Sequence, residues 1–200
     1  MKKVFALSLT LIALFAIATA NTPRTANDVP PPMAIGTTVD DFNLPDADGK
    51  EQSLVSLKGK NGTVLIFVAT KCPVSNAYNQ RMEKLAQDYK AKGVNVIGIN
   101  SNAAELAPEL KSHAATNKLT FPILKDGGNK IADIFGATVT PEAFLLDASN
   151  KLVYRGRIDN ARDVSQVVSN DLRDAVDATL AGKPIAKSTA TAFGCTIKRA

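Results

Sequence analysis

Two cysteines, Cys72 and Cys195, are the thiols of this chain, and the surroundings of Cys72 indicate chemistry. An apolar run at residues 64–68 predicts a buried strand, and Pro73 directly after Cys72 predicts that a helix begins there. The start of a helix and the neighbouring Lys71 both favour the thiolate form of a cysteine, which is the nucleophilic form. The sequence therefore predicts a redox-active thiol at Cys72, with an inert half-cystine as the structural alternative.

Cys195 lies near the end of the chain, in the segment 193–198. In an oxidising compartment the two cysteines can form a disulfide and retain it. Such a bond would close a loop of more than half the chain, and loop-closure entropy alone would then stabilise the fold by about 4–5 kcal/mol. Two roles stay open for Cys195: a staple that stabilises the tail, or a resolving thiol that attacks oxidised Cys72.

Hydrophobic periodicity predicts an α/β fold. The predicted elements are a hairpin at 42–54 with its turn at 48–49, strands at 64–68, 94–99, 121–124, 143–146 and 152–154, and helices at 73–90, 103–117, 131–135 and 164–180. Alternating strands and helices favour parallel strand pairs, and the last two strands form an antiparallel hairpin. The order resembles that of the thioredoxin fold, a central mixed β-sheet flanked by helices, here with an N-terminal β-hairpin extension.

Thr140 and Pro141 precede the strand predicted at 143–146. At this place the thioredoxin fold has a cis-proline that packs against the reactive thiol, so we predict a cis bond between these two residues. Only about 5–6% of X–Pro bonds in folded proteins are cis, and the alternative is an ordinary trans proline at the start of a strand.

The N-terminus and the charge pattern indicate where the protein acts. A charged start, an apolar run at 4–17 and a small-residue site ending at Ala20 predict a signal peptide at residues 1–20, cleaved after Ala20. The alternative is a retained anchor, but the run is shorter than the roughly 20 residues of a membrane span. We therefore expect an exported protein, periplasmic or secreted, with no membrane attachment after cleavage. The formal net charge of +5 is mixed along the chain, which argues against nucleic-acid binding.

The sequence predicts no metal site and no cofactor. His113 is the only histidine of the sequence and lies in a polar helical segment, so we expect it to be solvent-exposed rather than catalytic. One histidine and two cysteines cannot form a closed zinc site without carboxylates.

Four blocks of the sequence, in the expected order, resemble the redoxin (AhpC/TSA-like) family of the thioredoxin superfamily. The blocks are 41–46, 67–73, 140–147 and 154–159, and the segments 72–78 and 194–198 resemble a peroxiredoxin-like subgroup of exported bacterial redoxins. The resemblance extends from about residue 34 to the end. It implies a thioredoxin-like redoxin domain at 35–187, preceded by a Pro-rich linker at 21–34 and followed by a tail at 188–200 that carries Cys195.

Two departures from the family pattern concern the residues around Cys72. Thioredoxin-type enzymes have a second cysteine three residues after the first, where this chain has Ser75, so no disulfide can form within that motif. Peroxiredoxins have a threonine three residues before the reactive cysteine and an arginine near the start of the later strand, where this chain has Ala69 and, approximately, Pro141. Thr70 is one residue out of register, and it could replace that threonine only in a different loop conformation.

The resemblance implies an exported thiol–disulfide oxidoreductase that uses Cys72 as its redox-active thiol and Cys195 as its disulfide partner. The residues expected to support this site are Thr70, Lys71, Pro73, Ser75, Thr140 and Pro141. The alternatives are a peroxiredoxin-like thiol peroxidase with antioxidant activity, and a non-catalytic redoxin domain with a structural disulfide. The expected partner is accordingly a protein thiol or disulfide, or a peroxide substrate, and the sequence leaves the oligomeric state open.

Overall fold

A five-stranded mixed sheet is the centre of the computed structural model, which describes residues 30–199. The strands are β1 (Asn43–Pro45), β2 (Glu51–Ser53), β3 (Gly62–Phe67), β4 (Val94–Asn100), β5 (Ile123–Lys125), β6 (Val139–Thr140), β7 (Glu142–Asp147), β8 (Leu152–Gly156) and β9 (Cys195–Thr196). The helices are α1 (Leu54–Leu57), α2 (Pro73–Ala77), α3 (Asn79–Lys90), α4 (Ala107–Asn117), α5 (Lys130–Phe135) and α6 (Asp171–Leu180), and short 3-10 turns occupy Gly127–Asn129 and Val164–Gln166.

β3 occupies the middle of the sheet, whose strand order is β5-β4-β3-β7-β8. It runs parallel to β4 and antiparallel to β7, while β5 is parallel to β4 and β8 is antiparallel to β7. β1 and β2 pair as an antiparallel N-terminal hairpin. The predicted α/β class and thioredoxin-like architecture are therefore confirmed: a mixed sheet flanked by helices, with an N-terminal hairpin.

The apolar character of β3 follows from its burial on both faces of the sheet. Every residue of β3 is buried, and its side chains alternate between two hydrophobic clusters. Val64 and Ile66 pack into the cluster that contains residues of α3 and α6, whereas Leu65 and Phe67 pack into the cluster that contains residues of α5. Because β3 is held on both sides, its C-terminal end determines the position of the turn that carries Cys72.

The helix predicted at 73–90 consists of two helices, α2 and α3, which separate at Tyr78. The Tyr78 ring is buried, its hydroxyl lies 3.0 Å from Asp159 Oδ1, and the Arg81 guanidinium stacks on the ring at 3.6 Å from its centre. These contacts hold Tyr78 where α2 ends. The apolar spacing continues through the break, which is why the sequence pattern predicts one continuous helix.

Two further helices begin later in the structure than in the sequence pattern. α4 starts after an irregular segment at residues 101–106, and Pro108 lies in its first turn, where a proline is tolerated. α6 starts after a 3-10 turn and an extended segment, because Asn160 Oδ1 accepts hydrogen bonds from the N–H groups of Val168 and Ser169 at 2.8 and 2.9 Å. Those N–H groups are therefore not available to a longer helix.

The predicted signal peptide at 1–20 lies outside the described residues, as does most of the predicted linker at 21–34. At the end of that linker, Met33 donates its N–H to Phe135 O at 3.1 Å and packs on the α5 side of the core. Among the helices of residues 30–199, none is long and apolar enough to span a membrane.

The tail covers the outer edge of β8 before it reaches the disulfide. The Arg155 N–H donates to Ser188 O at 3.0 Å, and the Ala190 N–H donates to Arg155 O at 3.1 Å. Residues 188–190 therefore form a single parallel β-bridge with Arg155, which gives this part of the sheet edge a hydrogen-bonding partner.

Candidate active site

Cys72 and Cys195 form a disulfide beyond the C-terminal end of β3. Their Cα atoms are 5.9 Å apart, as is usual for a disulfide, and the bond joins positions separated by 123 residues. Cys72 is 3% exposed, whereas Cys195 is only partly buried. The two cysteines are thus joined by a covalent bond, and the tail cysteine is the more exposed of the two.

Cys72 caps the first turn of α2. Its Sγ accepts a hydrogen bond from the Ser75 N–H at 3.3 Å, and Pro73 lies in the first turn, where its missing N–H leaves no donor unpaired. The Cys72 Sγ also lies 3.5 Å from Thr140 O. A donor directed at the sulfur favours the thiolate over the thiol once the disulfide opens. This geometry suits a cysteine that leaves as a thiolate.

Ser75 stands where thioredoxin-type enzymes have their second cysteine, and it holds the turn before Cys72. Its Oγ accepts a hydrogen bond from the Ala69 N–H at 3.1 Å, while its own N–H donates to the Cys72 Sγ. Ser75 is 1% exposed, so these bonds are shielded from water. The serine therefore connects both Ala69, which precedes Cys72, and the Cys72 sulfur to α2.

The Thr140–Pro141 peptide bond is cis, as predicted. Thr140 pairs with Cys195 in the short antiparallel β6–β9 ladder, and its Oγ1 donates to Cys195 O at 3.4 Å. Gly194 approaches Thr140 O so closely that a Cβ on residue 194 would overlap this oxygen. β6, which precedes the cis-proline, thus pairs with the tail and places Cys195 opposite Cys72.

Thr70 and Lys71, two further predicted supporting residues, contact the loop after β4. Their N–H groups donate to Glu105 Oε2 and Oε1 at 2.7 and 3.1 Å. The Lys71 ammonium forms an exposed ion pair with Glu109 Oε1 at 2.8 Å, so its charge is partly compensated there. Thr70 Oγ1 is, within residues 30–199, the one buried side-chain N or O atom that has no hydrogen-bond partner.

Glu105 and Asn102 are residues of the site that the sequence pattern did not reveal. Glu105 is 3% exposed, and besides the two backbone donors its carboxylate accepts from the Nδ2 atoms of Asn100 and Asn102 at 2.6 and 3.3 Å. These residues form a polar stretch directly after β4, whose C-terminal end lies beside that of β3 because the strands are parallel. Polar residues that follow adjacent parallel strands are the signal that could have identified them.

A second buried carboxyl group, that of Glu142, lies directly after Pro141. Glu142 is 7% exposed and accepts hydrogen bonds from the N–H groups of Thr138 and Val139 at 2.9 and 3.5 Å. Burial raises the pKa of the Glu142 carboxyl above its ordinary value of 4.5, and the two backbone donors oppose this shift. Glu142 therefore binds its proton more tightly in the folded protein than in the unfolded chain.

Replacing Glu142 with glutamine is expected to change how stability depends on pH. Because the folded-state pKa is raised, the contribution of Glu142 to stability is fully present below 4.5 and is lost as pH rises through the folded-state pKa. Glutamine stays neutral at both pH values. The free energy of unfolding of Glu142→Gln, relative to that of wild type, should therefore be higher at pH 7 than at pH 4. Urea denaturation at both pH values measures this gain. Glu51→Gln is the control, because Glu51 is the exposed residue of β2. A stability difference between wild type and Glu142→Gln that is the same at both pH values would contradict the prediction.

His113 is half-buried, which corrects the expectation of a solvent-exposed side chain. Its ring lies 3.4 Å from Asn79 Oδ1, because this side of α4 faces α3, and 3.3 Å from Asn117 Nδ2 on the same helix. Burial lowers the pKa of the imidazole. Across residues 30–199, no group of three or more His, Cys, Asp or Glu side chains is arranged to hold a metal ion.

The fold and the site together define a thioredoxin-like protein in which a cysteine after the central strand is bonded to a cysteine of the C-terminal tail. The sequence matches the AhpC/TSA family over residues 35–155. The chain belongs to this redoxin family of the thioredoxin superfamily, which confirms the resemblance seen in the sequence.

Individual relatives extend the comparison. Thiol-disulfide oxidoreductase ResA of Bacillus thuringiensis (strain Al Hakam) is 34% identical over 121 residues, which are 60% of this chain and 68% of that protein. A hypothetical protein from Sinorhizobium meliloti 1021 has a structure that matches with a TM-score of 0.78 and 34% identity, over 84% of this chain and 96% of that chain. An uncharacterized conserved protein from Geobacillus kaustophilus matches with a TM-score of 0.78 and 31% identity, over 84% and 93%. The similarity of fold thus covers most of the chain, and one relative is named for thiol–disulfide chemistry.

Proposed function

We propose that this chain is an exported thiol–disulfide oxidoreductase in which Cys72 and Cys195 are the redox couple. The observation that carries the proposal is the disulfide itself, which joins a cysteine whose sulfur accepts the Ser75 N–H to a partly exposed cysteine on the tail. The similarity to a thiol-disulfide oxidoreductase supports the same chemistry. The partner is then a protein thiol or disulfide.

In the proposed reaction a partner thiolate attacks Cys195 Sγ, forms a mixed disulfide there and releases Cys72 as a thiolate. The direction follows from exposure, because Cys72 is 3% exposed and Cys195 is more accessible, and from the Ser75 N–H, which stabilises the departing sulfur. A second partner thiolate attacks the partner sulfur of the mixed disulfide and releases Cys195. Two partner thiols become one disulfide, and the protein disulfide becomes two thiols; the reverse sequence reduces a partner disulfide.

The location of the mixed disulfide tests this order of steps. Oxidised protein is mixed with reduced glutathione, quenched with N-ethylmaleimide and analysed by peptide mass spectrometry. We expect glutathione on Cys195 and N-ethylmaleimide on Cys72, because the exposed sulfur is attacked and the buried one leaves. Unfolded oxidised protein is the control, since both sulfurs are then accessible. Glutathione on Cys72 of the folded protein would reverse the assigned order, and a disulfide that does not exchange at all would contradict the proposed function.

Export belongs to the proposal because a disulfide persists in an oxidising compartment. A signal peptide at 1–20 and cleavage after Ala20 would deliver the protein to the periplasm or the medium. The domain limits of 35–187, with the Cys195 tail at 188–200, are part of the same proposal.

A thiol peroxidase is the second candidate, and the Thr70 hydroxyl favours it. Thr70 Oγ1 is buried without a partner two residues before Cys72, so a bound oxygen atom could satisfy it. In that reaction the Cys72 thiolate attacks one oxygen of a peroxide, the O–O bond breaks, the other oxygen takes up a proton and leaves as water or an alcohol, and Cys72 becomes a sulfenic acid. The Cys195 thiol then condenses with the sulfenic acid to give the disulfide and a molecule of water. Stopped-flow mixing of reduced protein with hydrogen peroxide decides between the candidates: rapid oxidation of Cys72 that slows in Thr70→Val would identify the peroxidase. A chain that performs neither reaction would be a non-catalytic redoxin domain.

A further inference from the structure

The tail is anchored beyond Cys195 by contacts that do not involve sulfur. Ile197 is 3% exposed, packs into the cluster on the α5 side of the sheet and donates its N–H to Thr138 O at 2.9 Å. The Arg199 side chain is 8% exposed and forms an ion pair with Asp133 Oδ1 at 3.2 Å. The segment that carries Cys195 therefore has contacts with the domain that do not depend on the disulfide bond itself.

Asn102 connects this tail to the loop after β4. Its Oδ1 accepts a hydrogen bond from the Lys198 N–H at 2.8 Å, and the neighbouring Ala103 N–H donates to Lys198 O at 2.8 Å. Asn102 is 5% exposed, and its Nδ2 donates to Glu105 Oε1 at 3.3 Å. One end of the Asn102 amide thus binds the tail and the other end binds Glu105.

Glu105 continues the connection to Cys72. Its carboxylate accepts hydrogen bonds from the N–H groups of Thr70 and Lys71, directly before Cys72, at 2.7 and 3.1 Å. A chain of hydrogen bonds therefore runs from the backbone before Cys72, through Glu105 and Asn102, to the backbone after Cys195. Both side chains are buried, and buried polar groups whose partners are all in place specify one geometry.

We propose that Asn102 and Glu105 are positioning residues that keep Cys195 beside Cys72 when the disulfide is open. The inference rests on the proposed function, because it concerns closure of the same disulfide. A thiol that is held in place acts at a high effective concentration, whereas a thiol on a detached tail must first find its target. Closure of a mixed disulfide then proceeds within the chain: the free cysteine thiolate attacks the protein sulfur of the mixed disulfide, forms the Cys72–Cys195 bond and releases the partner thiolate.

Asn102→Ala removes both hydrogen bonds of the Asn102 amide and tests the proposal. Wild type and variant are equilibrated with mixtures of reduced and oxidised glutathione, and the fraction of closed disulfide is measured by alkylation and mass spectrometry. We expect the equilibrium constant for closure to fall about tenfold, as the loss of one or two net hydrogen bonds implies, and the rate of closure to fall with it. The reactivity of the Cys72 thiol towards N-ethylmaleimide should not decrease. A purely structural role would lower the unfolding midpoint and leave the closure equilibrium unchanged.

Two further variants keep the test decisive. Asn95→Ala is the matched control, because Asn95 is also in the β4 region and its Nδ2 donates to Leu57 O at 2.8 Å. Lys198→Pro removes the tail N–H that Asn102 accepts and leaves the loop intact, so it carries the test if Asn102→Ala does not fold. Unchanged closure in the Asn102 and Lys198 variants, or an equal fall in Asn95→Ala, overturns the positioning role. If the wild-type disulfide does not exchange with glutathione at all, the proposed function itself fails.

Discussion

Replacing Cys72 with serine is expected to abolish catalysed disulfide exchange, with a fall in rate of about a thousandfold or more. A serine hydroxyl is not ionised at neutral pH and cannot form a disulfide. The Cys72 sulfur accepts a hydrogen bond from the Ser75 N–H at 3.3 Å, which stabilises its thiolate form. The measurement is the reduction of insulin disulfides by dithiothreitol, in the presence and absence of the protein. The variant should not raise the rate above that of dithiothreitol alone.

Cys195→Ser is the matched variant, because it removes the partner sulfur and keeps Cys72. Because the assigned order places the mixed disulfide on Cys195, we expect Cys195→Ser to form no mixed disulfide at the buried Cys72. Cys72→Ser should instead form one mixed disulfide per chain at Cys195 and then stop, since it lacks the thiol that releases the partner. Wild-type turnover in Cys72→Ser would show that Cys72 is not the reactive thiol. Wild-type turnover in Cys195→Ser would show that the tail sulfur takes no part.

Reducing the disulfide is expected to lower the free energy of unfolding by about 4–5 kcal/mol. The bond joins positions separated by 123 residues, so its loss increases the entropy of the unfolded chain. The folded chain should change less, because the contacts of Ile197 and Arg199 with the domain do not involve sulfur. Urea denaturation with and without a reductant measures the difference.

The double variant Cys72→Ser/Cys195→Ser is the control for this measurement. It has no disulfide to reduce, so its unfolding midpoint should be the same with and without the reductant. A loss of less than about 1 kcal/mol in the wild-type protein would contradict the prediction, since loop closure would then contribute little to the stability of this fold.

The position and the surroundings of Cys72 could be predicted because their determinants are local. The apolar run at 64–68 predicts the buried strand, and the order Cys72-Pro73 predicts the start of a helix; both are present as β3 and α2. The order of elements, rather than local propensity, predicts the cis bond between Thr140 and Pro141, and this bond is present. Local pattern and element order together thus placed the cysteine and the proline strand that faces it.

The partners of Cys72 that lie far away in the chain could not be predicted in the same way. β6 and β9 contain two residues each, which is too short for any periodicity to show, and they meet only because the tail folds back across the domain. The roles of Asn102 and Glu105 depend on the same folding back, since one accepts a tail N–H and the other accepts the N–H groups before Cys72. The sequence pattern does not show the break at Tyr78, because burial of its ring preserves the apolar spacing of a continuous helix.

Residues 188–190 of the tail also affect the edge of the sheet, independently of sulfur chemistry. A strand at the edge of a sheet presents unpaired N–H and C=O groups, which can recruit a strand from another molecule and start self-association. In this protein the tail occupies that edge of β8 at Arg155, and Gly36 and Thr37 occupy it at Leu152. The segment that leads to Cys195 therefore also occupies backbone groups at the edge of the sheet that would otherwise be open to a strand of another molecule.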